Sequence, residues 1–119
     1  AAEPLLYRAL IVMEKTLGTA HPSTGKVLIE LALLLQNKGN YRGAEELLYR
    51  ALSIHEKHEV GGALTKTLCA LGELSALCGD KSKALEFYGR GLELLRSKNE
   101  PDDEGIQQIL GRIAELDAD

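Results

Sequence analysis

One nine-residue segment keeps returning along this chain. Ala2-Glu3-Pro4-Leu5-Leu6-Tyr7-Arg8-Ala9-Leu10 is echoed 42 residues on by Ala44-Glu45-Glu46-Leu47-Leu48-Tyr49-Arg50-Ala51-Leu52. A further 40 residues on it appears in degraded form as Ala84-Leu85-Glu86-Phe87-Tyr88-Gly89-Arg90-Gly91-Leu92. Self-similarity at such a period marks a stack of units, each of which covers its apolar face only by packing against a neighbour. The class of function narrows accordingly. A stack of repeats offers an extended binding surface rather than a reaction pocket.

Composition agrees with stacked helices. The 119 residues suffice for one domain with a real core, aromatic content is 4% and there is no Trp. Abundant Leu and Ala, with few β-branched or aromatic residues, favours helix over strand. A net charge of −4 argues against nucleic acid as a partner, because that role needs clustered Lys and Arg. Cys69 and Cys78 fall on one expected helix, ~13 Å apart along its axis and on opposite sides, so they cannot pair with each other. Free thiols suit a reducing, intracellular (cytoplasmic) compartment. No leader and no apolar run of membrane-spanning length is visible, so a membrane partner is not expected.

Six helices are expected. The first covers 3–17, with Pro4 tolerated in its first turn. After Gly18-Thr19-Ala20-His21-Pro22, Ser23 or Thr24 is expected to cap a second helix that runs to 38. Gly39-Asn40 closes it with residues that accept left-handed backbone. A third spans 41–58, a fourth 63–77 after Gly61-Gly62, a fifth 81–97 and a sixth 104–116. In the second helix Leu28, Leu31, Ala32 and Leu35 form one apolar stripe. Leu68, Leu71, Gly72 and Ser75 repeat it in the fourth, and Leu110, Gly111 and Ala114 in the sixth. The small residue after each Leu invites close approach of a partner helix. Odd-numbered helices carry their own stripes: Leu6, Ala9, Leu10 and Met13, or Leu48, Ala51, Leu52 and His55. Such alternation predicts a chain of antiparallel helix pairs.

These residues resemble tetratricopeptide repeats. One repeat supplies Leu31-Ala32, Gly39, Ala44 and Ala51. The next supplies Leu71-Gly72, Gly79, Ala84 and, as a departure, Gly91. The resemblance implies an all-α fold, a tetratricopeptide-repeat α–α superhelix (solenoid) of about six antiparallel helices. On that reading 1–119 is a single domain: 1–20 an orphan B helix, 23–60 and 61–99 full repeats, and 102–119 a terminal A helix or cap. Its periods exceed the usual repeat of about 34 residues. Together with Leu17-Gly18-Thr19-Ala20-His21-Pro22 and Asn40-Tyr41, they make the chain similar to the long repeats of kinesin light chains and nephrocystin-like proteins. That joint occurs once, since Glu59-Val60-Gly61-Gly62 replaces it in the following repeat.

The resemblance implies adaptor or scaffold work rather than enzymology. A protein or peptide partner would lie in a concave groove lined by A helices. Positions opposite the core stripes are Lys26, Ile29, Glu30, Leu33 and Asn37 in the second helix, and Lys66, Cys69, Ala70 and Glu73 in the fourth. Gln108 and Arg112 would continue the surface. Relatives that hold an acidic carboxyl-terminal tail carry Lys, Arg and Asn there. In this chain Glu30 and Glu73 oppose the three cations, and the mid-helix Asn positions hold Ile29, Glu30, Cys69 and Ala70. A partly hydrophobic peptide or an amphipathic helix suits that mixture better. Packing against a neighbouring repeat explains Ile29 and Leu33 equally well.

Nothing else in the sequence asks for chemistry. His55 and His58, one turn apart, lack companions for a metal site and read as surface histidines favoured by a helix end. The run Glu100-Pro101-Asp102-Asp103-Glu104 reads as an N-cap with first-turn carboxylates rather than a calcium loop. Tyr7, Tyr41, Tyr49 and Tyr88 are too scattered for base stacking and read as packing residues. There is no nucleophile elbow and no Gly-rich loop after a strand, so neither catalysis nor a cofactor is expected. Beginning on a B helix leaves Leu6, Leu10 and Met13 without a helix A of their own. That predicts either a piece of a longer array or an end-to-end homo-oligomer through the first helix. The rival readings are a structural or self-association segment and a regulatory domain of a larger enzyme.

Overall fold

A computed structural model describes residues 2–58, 62–97 and 103–118. Among them the chain forms α1 (Ala2–Leu17), α2 (Pro22–Asn37), α3 (Tyr41–His58), α4 (Ala63–Leu77), α5 (Lys81–Arg96) and α6 (Asp103–Ala118). No strand occurs among the described residues. The fold is an all-α helical repeat.

The turns follow from three or four residues each. Lys38 ends α2 and Gly39 takes φ +87°, a conformation open to Gly without steric cost. Gly39 N–H then donates to the Gln36 carbonyl, and Asn40 N–H to that of Leu35, the paired bonds of a Schellman end. Asn40 also begins α3: its Oδ1 accepts from Gly43 N–H at 3.0 Å. The arrangement recurs 40 residues later. Gly79 sits at φ +83°, Gly79 and Asp80 N–H groups donate to Ala76 and Ser75 carbonyls, and Asp80 Oδ1 accepts from Lys83 N–H at 3.1 Å. One residue therefore finishes one helix and starts the next.

The entry to α2 differs from the expected cap. His21, not Ser23 or Thr24, is the N-cap, its Nδ1 accepting from Ser23 N–H at 3.1 Å. The helix thus begins at Pro22, where the missing N–H costs nothing. Thr24 is buried and donates back to the Gly18 carbonyl at 3.2 Å, tying α2 to the end of α1.

The chain forms two compact units, Ala1–Thr67 and Leu68–Asp119. In the first, α2 packs on α1 and α3. Leu28, Leu31, Ala32 and Leu35 meet Ala44, Leu48, Ala51 and Leu52 in its buried set, as the stripes predict. Burying each Leu is worth about 1.5–3 kcal/mol against leaving it in water. Arg50 and Glu14, 3.4 Å apart, join α3 to α1 at the surface.

In the second unit Ala84, Tyr88, Leu95, Ile109 and Leu116 form the core, with Cys69, Ala76, Leu92, Ile106 and Ile113 packed against it. The Tyr88 ring lies on Gly72, where a Cβ would come within 2.7 Å of it. The stripe expected for α6 is corrected. Gly111 and Ala114 are exposed, and nothing lies within 4 Å of where a Gly111 Cβ would be. Ile106, Ile109, Ile113 and Leu116, at i, i+3, i+7 and i+10, carry the buried face instead.

Among the tyrosines only Tyr88 is buried; Tyr7, Tyr41 and Tyr49 are exposed by more than a third. Leu10 is buried, whereas Leu5, Ile11, Val12 and Leu17 of α1 are exposed. Of the Glu100–Glu104 run, residues 100–102 lie outside the described residues.

Candidate functional site

Three of the residues expected on the groove come together. Lys26 and Ile29 of α2 and Lys66 of α4 line one open cleft of about 310 Å³, with Pro22, Ser23, His55 and Ala63. Both lysines are exposed, while Ile29 is 3% exposed and forms apolar floor. The cleft sits where α2 and α4 start, so each lysine projects from a first or second turn. Glu30, Leu33 and Asn37 are exposed further along α2 and do not line it.

His55 is buried, as its place in the stripe of the third helix implied and against its other reading. Read from sequence as a surface histidine, it is 1% exposed. Its ring lies over Gly25, where an added Cβ would meet Nε2 at 2.5 Å. Nδ1 is 2.8 Å from Thr67 Oγ1, and the Thr67 hydroxyl donates to the Ala63 carbonyl at 2.9 Å. His55 thereby links α3 to the first turns of α2 and α4. Burial pushes its pKa below the usual 6.5; the Pro22 carbonyl acts against that shift, and the charge of nearby His58 reinforces it. The repeat register carried a signal of this: 40 residues on, the same position holds Leu95, a buried core residue.

On the second unit the remaining candidates are placed differently. Ala70 is buried and Cys69 packs against the core, so neither presents an open face. Burial raises the Cys69 thiol pKa, with Arg112 opposing and Glu73 adding to the rise, so the group stays protonated and poorly nucleophilic near neutrality. Cys69 and Cys78 are both free thiols. Arg112 reaches Glu73 at 3.8 Å with both side chains well exposed. Such a pair is worth about 0–1 kcal/mol, and it occupies the charge that Arg112 was expected to offer a ligand. Gln108 is exposed on the same helix. Tyr88 beneath them has its hydroxyl pKa pushed up to about 12, first by burial, with Arg112 opposing.

One acceptor was not foreseen. Gln36 Oε1 on α2 is buried, with no hydrogen-bond partner among the described residues. Among these residues no group of three or more His, Cys, Asp or Glu is placed to hold a metal. No helix there is long and apolar enough to cross a membrane.

Residues 1–57 match the sequence model of the tetratricopeptide repeat family. The match covers α1, α2 and nearly all of α3, the helices that build the first unit around the cleft. That part of the chain is similar to tetratricopeptide repeats, which generally mediate contacts between proteins. No curated protein matches the chain.

Proposed function

We propose that this tetratricopeptide-like chain is a non-enzymatic interaction module that captures an extended peptide or a helix of a partner protein on the open face of α2 and the first turn of α4. The observation that carries the reading is the cleft. It brings Lys26, Ile29 and Lys66 onto one lining although 40 residues separate the two lysines. The lysines would orient a ligand, and Ile29 with exposed Leu33 would give it apolar contact. Within the family the chain is assigned to the long-repeat subclass of kinesin light chains and nephrocystin-like proteins. His21 capping α2 directly before Pro22 supports that assignment. Two unpaired thiols support an intracellular setting.

Selection from a displayed peptide library, followed by affinity measurement, tests the reading. Lys26→Ala with Lys66→Ala should weaken a selected peptide by about tenfold, since two such contacts are each worth about 0.5–1 kcal/mol. A library that yields no peptide, or peptides indifferent to both substitutions, defeats it. End-to-end self-association is favoured by a different observation: Leu5 and Val12 of α1 are 65% and 61% exposed. Leu5→Glu with Val12→Glu should then shift sedimentation to a smaller species and leave peptide capture unchanged.

A further inference from the structure

Helix hairpins make up the middle of the chain, and each side of them carries half of another. Asn40 joins α2 to α3 and Asp80 joins α4 to α5, so α1 matches the second helix of a hairpin and α6 the first. The repeat sets the register of α1. Its Leu5, Leu6, Ala9 and Val12 stand where α3 has Leu47, Leu48, Ala51 and Ile54, and where α5 has Phe87, Tyr88, Gly91 and Leu94. On α6, Leu110-Gly111 stands where α2 has Leu31-Ala32 and α4 has Leu71-Gly72.

The inner hairpins show what these positions do. Tyr88 of α5 lies on Gly72 of the helix before it, and Leu48, Ala51, Ile54 and Phe87 are all buried. In α1 the same face is open: Leu5 and Val12 are exposed, and Leu6 and Ala9 are only half-buried. Since α2 already packs on α1, α2 is not what closes this face. What α3 and α5 have in addition is the first helix of their own hairpin. The counterpart on α6 is open as well. Gly72 is buried beneath Tyr88, whereas Gly111 and Ala114 are exposed and nothing lies within 4 Å of where a Gly111 Cβ would be. A terminal repeat ordinarily turns a polar face outward; Leu5, Ile11 and Val12 give α1 an apolar one.

We propose that a second copy of this chain supplies the missing half, α1 of one copy docking on α6 of another. Leu6 then takes the seat at Gly111 that Tyr88 takes at Gly72, and Leu5 and Val12 are covered. The occupant is a second copy because each face is the half-hairpin that the other lacks, and one chain carries both. Two different faces meet, so every docking event leaves one of each unused. Assembly therefore continues into rings or open chains instead of stopping at two. The inference rests on the self-association reading and adds the partner face and the head-to-tail polarity.

Sedimentation equilibrium of the intact chain tests it. The wild type should exceed twice the 12.9 kDa of one chain as its concentration nears about 1 mM. Leu5→Glu with Val12→Glu spoils only the α1 face, and Gly111→Glu only the α6 face, because a charge buried there is left unpaired. Gly111→Glu meets no neighbour within 4 Å and introduces a better helix former, so the fold is kept. Each variant alone should sediment at 12.9 kDa. Mixed in equal amounts, each brings the face that the other lacks, and they should stop at twice that mass. A mixture that stays monomeric while the wild type assembles, or assembly untouched by Gly111→Glu, overturns head-to-tail docking and leaves self-association through α1 standing. A wild type that remains at 12.9 kDa up to about 1 mM ends both readings.

Discussion

Tyr88 and Gly72 are a matched exchange. Forty residues earlier the same two positions hold Leu48 and Ala32, both buried. The second repeat has a larger side chain on its B helix and gives up a methyl on its A helix to admit it. Gly72→Ala should destabilise the protein by about 1–3 kcal/mol, because the ring beneath cannot retreat through a packed core. Gly72→Ala with Tyr88→Leu restores the pairing of the first repeat and should recover most of that loss in urea unfolding. Additive losses would mean that the two residues do not share one contact. The compensation was half legible. Gly72 stood out as a small residue after a Leu, but only coordinates show which of four tyrosines fills its place. His55 was obscured for the same reason. Its position in the stripe was clear, yet the group that meets it, Thr67, lies on another helix and outside any local pattern.

At the scale of the helices, the first five were readable because their ends are written in short-range chemistry. Gly39 and Gly79 supply positive φ, and Asn40 and Asp80 supply the cap oxygen. Asp80→Ala should cost about 1 kcal/mol, within the range for a lost cap, while Asp80→Asn should cost little. Thermal unfolding of both variants checks this, and equal losses would place the stabilisation in the carboxylate's charge rather than in its hydrogen bond. The sixth helix was found, but its buried face was misassigned. Leu110-Gly111 imitates the Leu-small pair of the A helices, and the resemblance displaced a plain count of spacing. Ile106, Ile109, Ile113 and Leu116 satisfy the helical period without it. The cleft itself had no sequence signature. Its residues were nameable from their faces, but their meeting depends on how the chain folds back between Lys26 and Lys66.

Across the whole molecule, acid should act unevenly. The His55 pKa is lowered in the fold from its usual 6.5. The unfolded chain therefore binds that proton more readily, so stability is full above pH 6.5 and declines as pH falls through the folded value. The loss belongs to the first compact unit, Ala1–Thr67, which holds His55, Thr67 and Gly25. Hydrogen exchange should show α2 and α3 losing protection between about pH 7 and about pH 5 while α5 and α6 change less. His55→Leu, the residue that the next repeat carries at Leu95, should abolish the difference. An acid response that survives this substitution would trace to other groups.

The joints at Asn40 and Asp80 also have a practical corollary. A hairpin whose last and first helical anchors are one and the same residue has no slack to give. Tags, reporter loops or circular-permutation breaks spliced into either joint would unhook two rods at once, so such cargo belongs elsewhere on the chain.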